Sequence, residues 1–393
     1  MKRICHLAAL LAFLSCAGQG SAAPYVPDND GKVLERLPFK ANDPVARELG
    51  SLRATLKRNP DNVQVATRLA DRYYRLVSEE GDPRYLGYAQ AALGPWWNMQ
   101  SPPEDVQILR ASLRQYRHDF SGAVSDLDQV LSRNPGNARA LALRAIIHIV
   151  QARYVQGIED CQSLRKAGDP LIGLGCVAMV EGLTGKAVSA YAALNKEVSA
   201  ATSVSPENRL WLEIRLAELA ERQSLPDVAE THFKKAIALG INDTFLLAAY
   251  ADLLLEQRRA AEVVNLLKDR QQSDVLLLRL VFAERELQMP SAKERADLLG
   301  ARYAAAQMRG ETVHQQEEAR FALAVQNDPR RALMLAQENW KVQREPRDAE
   351  IYLKSAIAMK DAASAQPVLE WLEESRIEDR KLASLARQLR SIR

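Results

Sequence analysis

The sequence contains little glycine, proline and aromatic residue for its length. Glycine (18) and proline (17) make up 35 of 393 residues, and Phe, Trp and Tyr together make up 6%. Turn-rich β-sandwiches and barrels use more of these residues, and collagen-like or low-complexity chains need far more glycine and proline. The composition therefore favours a globular chain built of helices.

The chain also lacks a strong charge of either sign. Its 53 Lys and Arg residues against 50 Asp and Glu leave a net charge of +3. So small an excess does not produce the field on which binding to nucleic acid or to an anionic membrane depends. We therefore expect no nucleic-acid partner.

The first 22 residues have the features of a secretory signal peptide. Two basic residues precede the apolar run Leu7–Leu14, and small residues stand three and one positions before the expected cleavage site after Ala22. The run is shorter than the roughly 20 residues that a membrane-spanning helix needs. We expect cleavage and export to the periplasm, with residues 23–40 forming an extended N-terminal arm.

Cysteine is scarce, and two of the four cysteines, Cys5 and Cys16, lie in this leader. Phe13-Leu14-Ser15-Cys16 also fits, permissively, the lipobox of bacterial lipoproteins, so an outer-membrane lipoprotein acylated at Cys16 is the alternative. The remaining pair, Cys161 and Cys176, is too few for a closed zinc site. In an oxidising compartment the pair could form a disulfide, and the alternative is two buried thiols in neighbouring helices.

Internal repeats indicate the fold. Asn59-Pro60-Asp61-Asn62 returns as Asn134-Pro135-Gly136-Asn137, each time between two helical patterns. Glu104–Asn137 and Ala138–Leu171 are successive units of equal length, each with apolar residues at the spacing of two amphipathic helices. A break as short as the one at His118 makes the two helices antiparallel, and such pairs must stack to bury their apolar faces.

These units resemble the tetratricopeptide repeat family. Ala111, Ala123, Leu127 and Pro135 stand at the signature positions of its 34-residue motif, and further units begin at Ala138, Leu210 and Thr244. The match is strong in these units and weak elsewhere: the unit from Val63 has an insertion at Ser78 to Arg84, and the helix pairs after Leu277 lack good signature residues. The resemblance as a whole covers Val63 to Leu277. It implies an all-α, right-handed superhelical solenoid of antiparallel helix pairs over residues 41–376, closed by a capping helix over 377–393.

Motifs for chemistry are nearly absent. The glycines of Gly173-Leu174-Gly175 follow no strand, and Thr184-Gly185-Lys186 lacks the upstream glycine of a phosphate loop. The histidines are scattered singly along the sequence, and the sequence contains no nucleophile-elbow serine motif and no Cys/His pair. We therefore expect no cofactor, no metal and no enzymatic activity, with an enzyme whose site converges from distant residues as the least favoured reading.

The resemblance also implies where a partner binds, because the first helix of each tetratricopeptide pair lines a concave groove that takes peptides or partner helices. A protein or peptide partner is therefore expected. The mixture of aromatic, basic and acidic residues at the groove positions suits such a partner better than a single anionic terminus. The residues carried over to the groove are Asp71, Tyr74, Arg75, Ser112, Gln115, Tyr116, Arg139, Glu218, Glu221, Arg222, Asp252 and Glu256.

More loosely, the segments around Gly81, Trp96 and Trp340 look like exported tetratricopeptide proteins of Gram-negative bacteria. That group has no defined activity and co-occurs with small membrane proteins of the hydrogenase-accessory or urease-accessory type. The resemblance implies an exported scaffold or adaptor, with a membrane protein of the envelope among its candidate partners.

Overall fold

The computed structural model describes residues 43–392, which form 21 α-helices and no strand. They fall into two units, residues 43–50 and residues 51–392; the first holds the start of α1 and the second all later helices. The helices are α1 (Pro44–Arg58), α2 (Val63–Glu80), α3 (Arg84–Ala92), α4 (Gly94–Trp97), α5 (Glu104–Tyr116), α6 (Phe120–Arg133), α7 (Ala138–Val150), α8 (Tyr154–Ala167), α9 (Pro170–Leu183), α10 (Ala187–Ala200), α11 (Pro206–Arg222), α12 (Pro226–Ile237), α13 (Thr244–Glu256), α14 (Ala260–Leu267), α15 (Asp274–Glu286), α16 (Ser291–Met308), α17 (Gln315–Ala324), α18 (Pro329–Val342), α19 (Pro346–Met359), α20 (Gln366–Ser375) and α21 (Arg380–Arg390).

Capping residues fix where many of these helices begin. The side chains of Asn62 and Asn137, the last residues of the two repeated Asn-Pro segments, accept hydrogen bonds from the backbone N–H groups of Val65 and Ala140, each at 3.0 Å. Asp243 does the same for Leu246 at 2.7 Å. Each cap satisfies a helix N–H group that has no partner within the helix, so the sequence sets the start of α2, α7 and α13 locally.

Nine helix pairs follow one another from α2/α3 to α19/α20, with α4 as an added turn after the first pair. We call the first helix of each pair inner and the second outer. The small residues of the repeat signature are buried where neighbouring helices meet, and Ala111, Ala123, Ala145, Ala217 and Ala251 have no exposed surface. The fold is thus the all-α, tetratricopeptide-type solenoid that the sequence predicts.

Each turn from an inner to an outer helix places one residue in the left-handed region. His118 and Ala152 have φ values of 61° and 59°, and Ser224 and Arg258 have 57° and 61°. The two members of each set are 34 residues apart, which is the repeat length read from the sequence. The turn geometry therefore recurs with the repeat although glycine occupies the left-handed position only at some turns, such as Gly185.

Ion pairs join the inner and the outer helix within a pair, as two neighbouring pairs show. In α5/α6, the guanidinium of Arg110 donates two hydrogen bonds to Asp126, at 2.9 and 2.6 Å, and both side chains are almost fully buried. Arg144 and Asp160 repeat this arrangement in α7/α8, at 2.9 and 2.6 Å. Such bidentate contacts fix the register of one helix against the other.

Cys161 on α8 and Cys176 on α9 form a disulfide, with their Cα atoms 5.3 Å apart. The sequence left two alternatives open, a disulfide or two separate buried thiols, and the structure contains the disulfide. Because α8 is the outer helix of one pair and α9 the inner helix of the next, the bond links two successive repeats.

The last helices do not merely extend the solenoid. The indole N–H of Trp371 donates to the hydroxyl of Tyr154 at 3.0 Å, and the backbone N–H of Arg344 donates to the carbonyl of Val150 at 2.7 Å. Ile377 packs against the apolar cluster of α5–α9. The C-terminal segment therefore contacts the turn between α7 and α8 in the central repeats as well as the end of the stack.

The expected signal peptide, the arm over 23–40 and the acylated Cys16 lie outside the described residues. Within residues 43–392, no helix has both the length and the apolar character required to cross a bilayer.

Candidate functional site

One cavity lies where the inner helices converge within residues 51–392. Its volume is about 1050 Å³, and every inner helix from α2 to α19 contributes lining residues, as does α21. From the N-terminal repeats come Ser78, Tyr116, Ile149 and Met179, and from the later ones come residues of α11, α13, α15, α17 and α19. The concave face of the solenoid therefore forms a partly open cavity.

Nineteen of the residues that line this cavity are charged, and most of these are acidic. Twelve Asp and Glu residues line it against seven Arg and Lys. Negative charge is costly in a space partly removed from water unless a cation balances it. Arg279 and Arg302, just outside the lining, pair with three of these carboxylates, so the excess of carboxyl groups over nearby cations is three.

Asp252 on α13 is the most fully neutralised of these carboxylates. Arg279 of α15 and Arg320 of α17 approach its two oxygens, with nitrogen to oxygen distances of 2.8 and 2.7 Å. Burial opposes ionisation here, but the charges of Arg279 and Arg320 hold the pKa of Asp252 well below its usual range. The three side chains tie three successive inner helices together at the cavity wall.

Lys381 closes one side of the cavity from α21. Its ammonium group contacts the carboxylate of Glu256 on α13 and lies 3.1 Å from that of Glu350 on α19. Burial lowers the pKa of Lys381, but the carboxylates of Glu350 and Glu256 outweigh burial and raise it above its ordinary value. The C-terminal helix is thus fastened to an inner helix 125 residues earlier in the chain.

Phe245 at the start of α13 is the one large aromatic side chain of the cavity that is substantially exposed, at 43%, among the described residues. The guanidinium carbons of Arg347 and Arg215 lie 4.7 and 5.3 Å from its ring centroid. Both distances are within the range of cation–π attraction. Burial lowers the pKa of Arg215, whose Nε has no hydrogen-bond partner within the described chain.

Glu221 is the most unusual acid of the cavity. Within residues 43–392 its side chain forms no hydrogen bond and no ion pair, although the residue is half-buried and lines the cavity. Burial raises its pKa to about 8; the charge of Arg347 opposes this shift and the neighbouring Glu218 adds to it. The carboxyl group is therefore largely protonated at neutral pH and changes charge just above it.

The structure divides the twelve residues expected to line the concave groove. Six of them line the cavity: Tyr116, Glu218, Glu221, Arg222, Asp252 and Glu256. Asp71 forms ion pairs with Arg75 at 2.9 Å and with Arg139 at 3.2 Å. Ser112 is buried, and its hydroxyl donates to the carbonyl of Ile108 at 3.1 Å. Gln115 and Tyr74 are half-buried and lie outside the cavity lining. Burial raises the pKa of Tyr74 to about 12.

The C-terminal helices and the converging inner helices narrow the concave groove to this partly open cavity. Ser112 and Asp252 are not free to meet a partner, because one is bonded within its own helix and the other is held by two arginines. The curvature that causes this narrowing accumulates over many repeats and cannot be read from any one of them.

Sequence reasoning missed Arg215, Phe245, Arg347 and Lys381. A signal existed for Phe245, since it stands at the second position of the unit beginning at Thr244, one of the positions that usually point into the groove. Arg347 and Lys381 lie where the repeat signature has faded, so no register was available to place them.

A second polar cluster lies away from the cavity. The carboxylate of Glu213 accepts a hydrogen bond from Nδ1 of His232 at 2.7 Å, and Nε2 of the same ring lies 3.0 Å from the hydroxyl of Tyr191. The three residues belong to α11, α12 and α10. Glu213 and His232 are buried, and none of the three lines the cavity, so their contacts join two neighbouring repeats.

Comparison with known proteins returns likeness of fold only. No model of a known family and no curated protein sequence matches the chain. A tetratricopeptide repeat protein from Parabacteroides merdae is 16% identical over 65% of this chain and 91% of its own, with a TM-score of 0.43. Yeast Tom70 is 11% identical over 88% and 85%, with a TM-score of 0.42.

A third similar structure, from the APC/C hetero-tetramer Cut9-Hcn1, is 14% identical and covers 79% of this chain and 52% of its own, with a TM-score of 0.38. All three are tetratricopeptide repeat proteins. The likeness concerns the helical-repeat fold, which the helix pairs and their buried signature residues establish independently.

Proposed function

We propose that this tetratricopeptide-type solenoid is a binding scaffold that takes a short segment of a partner protein into its central cavity. The observation that carries the proposal is a cavity of about 1050 Å³ in which Glu221, Arg222 and Arg347 line the wall without an ion pair or side-chain hydrogen bond within residues 43–392. Charged groups held in this way gain hydrogen bonds and charge neutralisation when a polar segment enters.

The size of the cavity favours a short segment over a long helix. Its volume is at the upper end of the roughly 300 to 1,000 Å³ found for pockets that enclose small ligands. The exposed ring of Phe245, flanked by Arg215 and Arg347, supplies an apolar surface beside the charged groups. A few residues in extended conformation, with one apolar and some polar side chains, match this lining.

We also propose that the scaffold works after export, as the leader over 1–22 predicts. The disulfide between Cys161 and Cys176 supports the proposal, because such bonds persist in oxidising compartments and are rare in the cytosol. A mature protein that begins at Ala23 would agree with the proposal. Retention of Cys16 with the added mass of acyl chains would select the lipoprotein alternative. For the periplasmic protein and for the lipoprotein alike, the candidate partners are proteins of the envelope.

A second candidate function, an enzyme, draws on Glu221. A carboxyl group with a pKa of about 8 is protonated at neutral pH and could donate a proton to a reacting group. We rank this candidate lower because no hydrogen bond within the described residues orients Glu221 toward a nucleophile or a second acid. A general acid needs that geometry as well as the pKa.

Site-specific photo-crosslinking tests the scaffold function. The photoreactive residue p-benzoylphenylalanine replaces Phe245 in the cavity or, as the matched control, Val155 at the start of outer helix α8, whose side chain is 68% exposed. After irradiation of cells that make the protein, we expect adducts at position 245 and none at 155. Adducts at position 155 with none at 245 would move binding to the outer surface and refute the proposal.

A further inference from the structure

We propose that the segment bound in the cavity is cationic: a stretch of the partner that places a Lys or Arg side chain beside Glu221. This inference rests on the proposed function and names the chemistry of the partner. The same carboxyl groups could attract a free amine such as a polyamine, and the experiment below separates that source from a basic peptide.

The first support is the balance of charge. Twelve carboxyl groups line the cavity against seven cationic side chains, and two arginines outside the lining, Arg279 and Arg302, also pair with lining carboxylates, which leaves an excess of three carboxyl groups. Among the cations, Arg320 pairs with Asp252 at 2.7 Å and Lys381 with Glu256 and Glu350, whereas Arg222 and Arg347 line the cavity without an ion pair. Glu221 is left without a partner within residues 43–392. A basic side chain is the group that would pair with its ionised form without a new buried charge of the same sign.

The second support is that the protein already places a cation in this cavity. Lys381 enters from α21 and holds two carboxylates, Glu256 of α13 and Glu350 of α19. Glu256 also lies close enough to Glu221 to affect its ionisation. Lys381 therefore shows how an ammonium group can pair with carboxylates in this cavity. A lysine of the partner would make the same interaction with Glu221, in the unfilled volume of the cavity.

Binding of a cation should displace a proton from Glu221. The charged groups near its carboxyl are Glu218 on its own helix, Arg347 of α19, Glu256 of α13 and Lys381 of α21. With a pKa of about 8, Glu221 is mostly neutral at pH 7, and an incoming positive charge favours its ionised form. Affinity should therefore increase from pH 7 to pH 9, and protons should be released on binding at pH 7.

Calorimetric titration of the purified full-length chain tests the inference. The probes are hexapeptides of Gly, Ala and Ser that contain one Phe and either three Lys, three Glu or neither, together with spermidine as a free amine. We expect the Lys peptide to bind at least tenfold more tightly than the others, with an affinity that falls as salt is added. Repeating the titration at pH 7 in buffers of different ionisation enthalpy measures the released protons.

Variants identify the site. Glu221→Gln should weaken the Lys peptide about tenfold and abolish proton release, since the neutral amide can neither ionise nor pair with a cation. Lys381→Ala should strengthen it, because Glu256 and Glu350 become available. Glu374→Gln, an exposed position on α20 outside the cavity, is the matched control and should change nothing. Thermal melting of each variant verifies folding.

The outcomes separate the two proposals. Tighter binding of the Glu or neutral peptide would overturn the cationic partner and leave the scaffold function standing. Binding of no peptide at all would overturn both. Spermidine binding as tightly as the Lys peptide would replace the basic segment by a free amine. Equal loss in Glu221→Gln and Glu374→Gln would place the cation elsewhere and overturn the assignment to Glu221.

Discussion

At the scale of single residues, Asp126 shows how the solenoid uses charge inside its core. Its side chain is only 2% exposed, and it accepts hydrogen bonds from Arg110 at 2.6 and 2.9 Å and from Arg114 at 2.7 Å. Arg110 in turn donates to the carbonyls of Trp97 and Met99. One carboxylate thus holds α5, α6 and the segment after α4 in register.

Replacing this carboxylate should be costly. Asp126→Ala leaves Arg110 buried without its counter-ion, and we expect a loss of roughly 3 to 5 kcal/mol in the free energy of unfolding. Asp128→Ala, on the same helix, removes a carboxylate that is 55% exposed and pairs with Arg144, and should cost less than about 1 kcal/mol. Urea denaturation compares them, and similar losses in both variants would contradict the account.

Glu221 gives stability a dependence on pH. Its pKa rises from an ordinary value of 4.5 to about 8 on folding. Below pH 4.5 the group is protonated in both states and has no effect. Between pH 4.5 and pH 8 only the unfolded state loses the proton, so the folded state is progressively disfavoured as pH rises.

Glu221→Gln removes this penalty. We expect the variant to match the wild-type protein at pH 4.5 and to be more stable by roughly 2 to 4 kcal/mol at pH 9. The exposed Glu374→Gln should follow the wild-type curve throughout. Denaturation measured across this pH range decides the matter, and a constant difference between Glu221→Gln and wild type would show that the carboxyl group does not retain its proton on folding.

At the scale of helices, the disulfide between α8 and α9 links two repeats through a loop of 15 residues. In the chain-entropy model a loop of this length stabilises the folded state by about 3 kcal/mol. We expect the Cys161→Ala, Cys176→Ala double variant to lose stability by an amount of that order, and the wild-type protein to do so when reduced. Mass spectrometry of the non-reduced protein establishes the bond first, and two alkylatable thiols would refute it.

Helix boundaries were largely predictable because the signals for them are local. Asn137 both ends a repeat and caps α7, and Pro329 and Pro346 stand at the first positions of α18 and α19. The 34-residue spacing of Ala111 and Ala145 correctly places two buried contacts between inner helices. Each of these features depends on a few neighbouring residues, which is the information that periodicity and capping rules contain.

At the scale of residues 51–392 as a unit, the sequence was a poorer guide. The repeat register assigns Glu221, Asp252 and Glu256 to the inner face but not to a cavity. The narrowing of the groove depends on the small rotation between successive pairs, summed over nine of them. It also depends on contacts such as Trp371 with Tyr154 that join residues more than 200 positions apart. No local pattern encodes either.

The central claim is that the C-terminal helix α21 lies against the concave face and closes one side of the cavity. A carbodiimide joins a lysine to a carboxylate only where the two are in contact, so it tests this claim directly. We expect an amide between Lys381 and Glu256, which join α21 to α13, besides the local link between Lys341 and Glu338 that serves as a positive control. If Lys341 is linked while Lys381 bonds to no residue of α13, the cavity described here is not closed by this helix and the account fails.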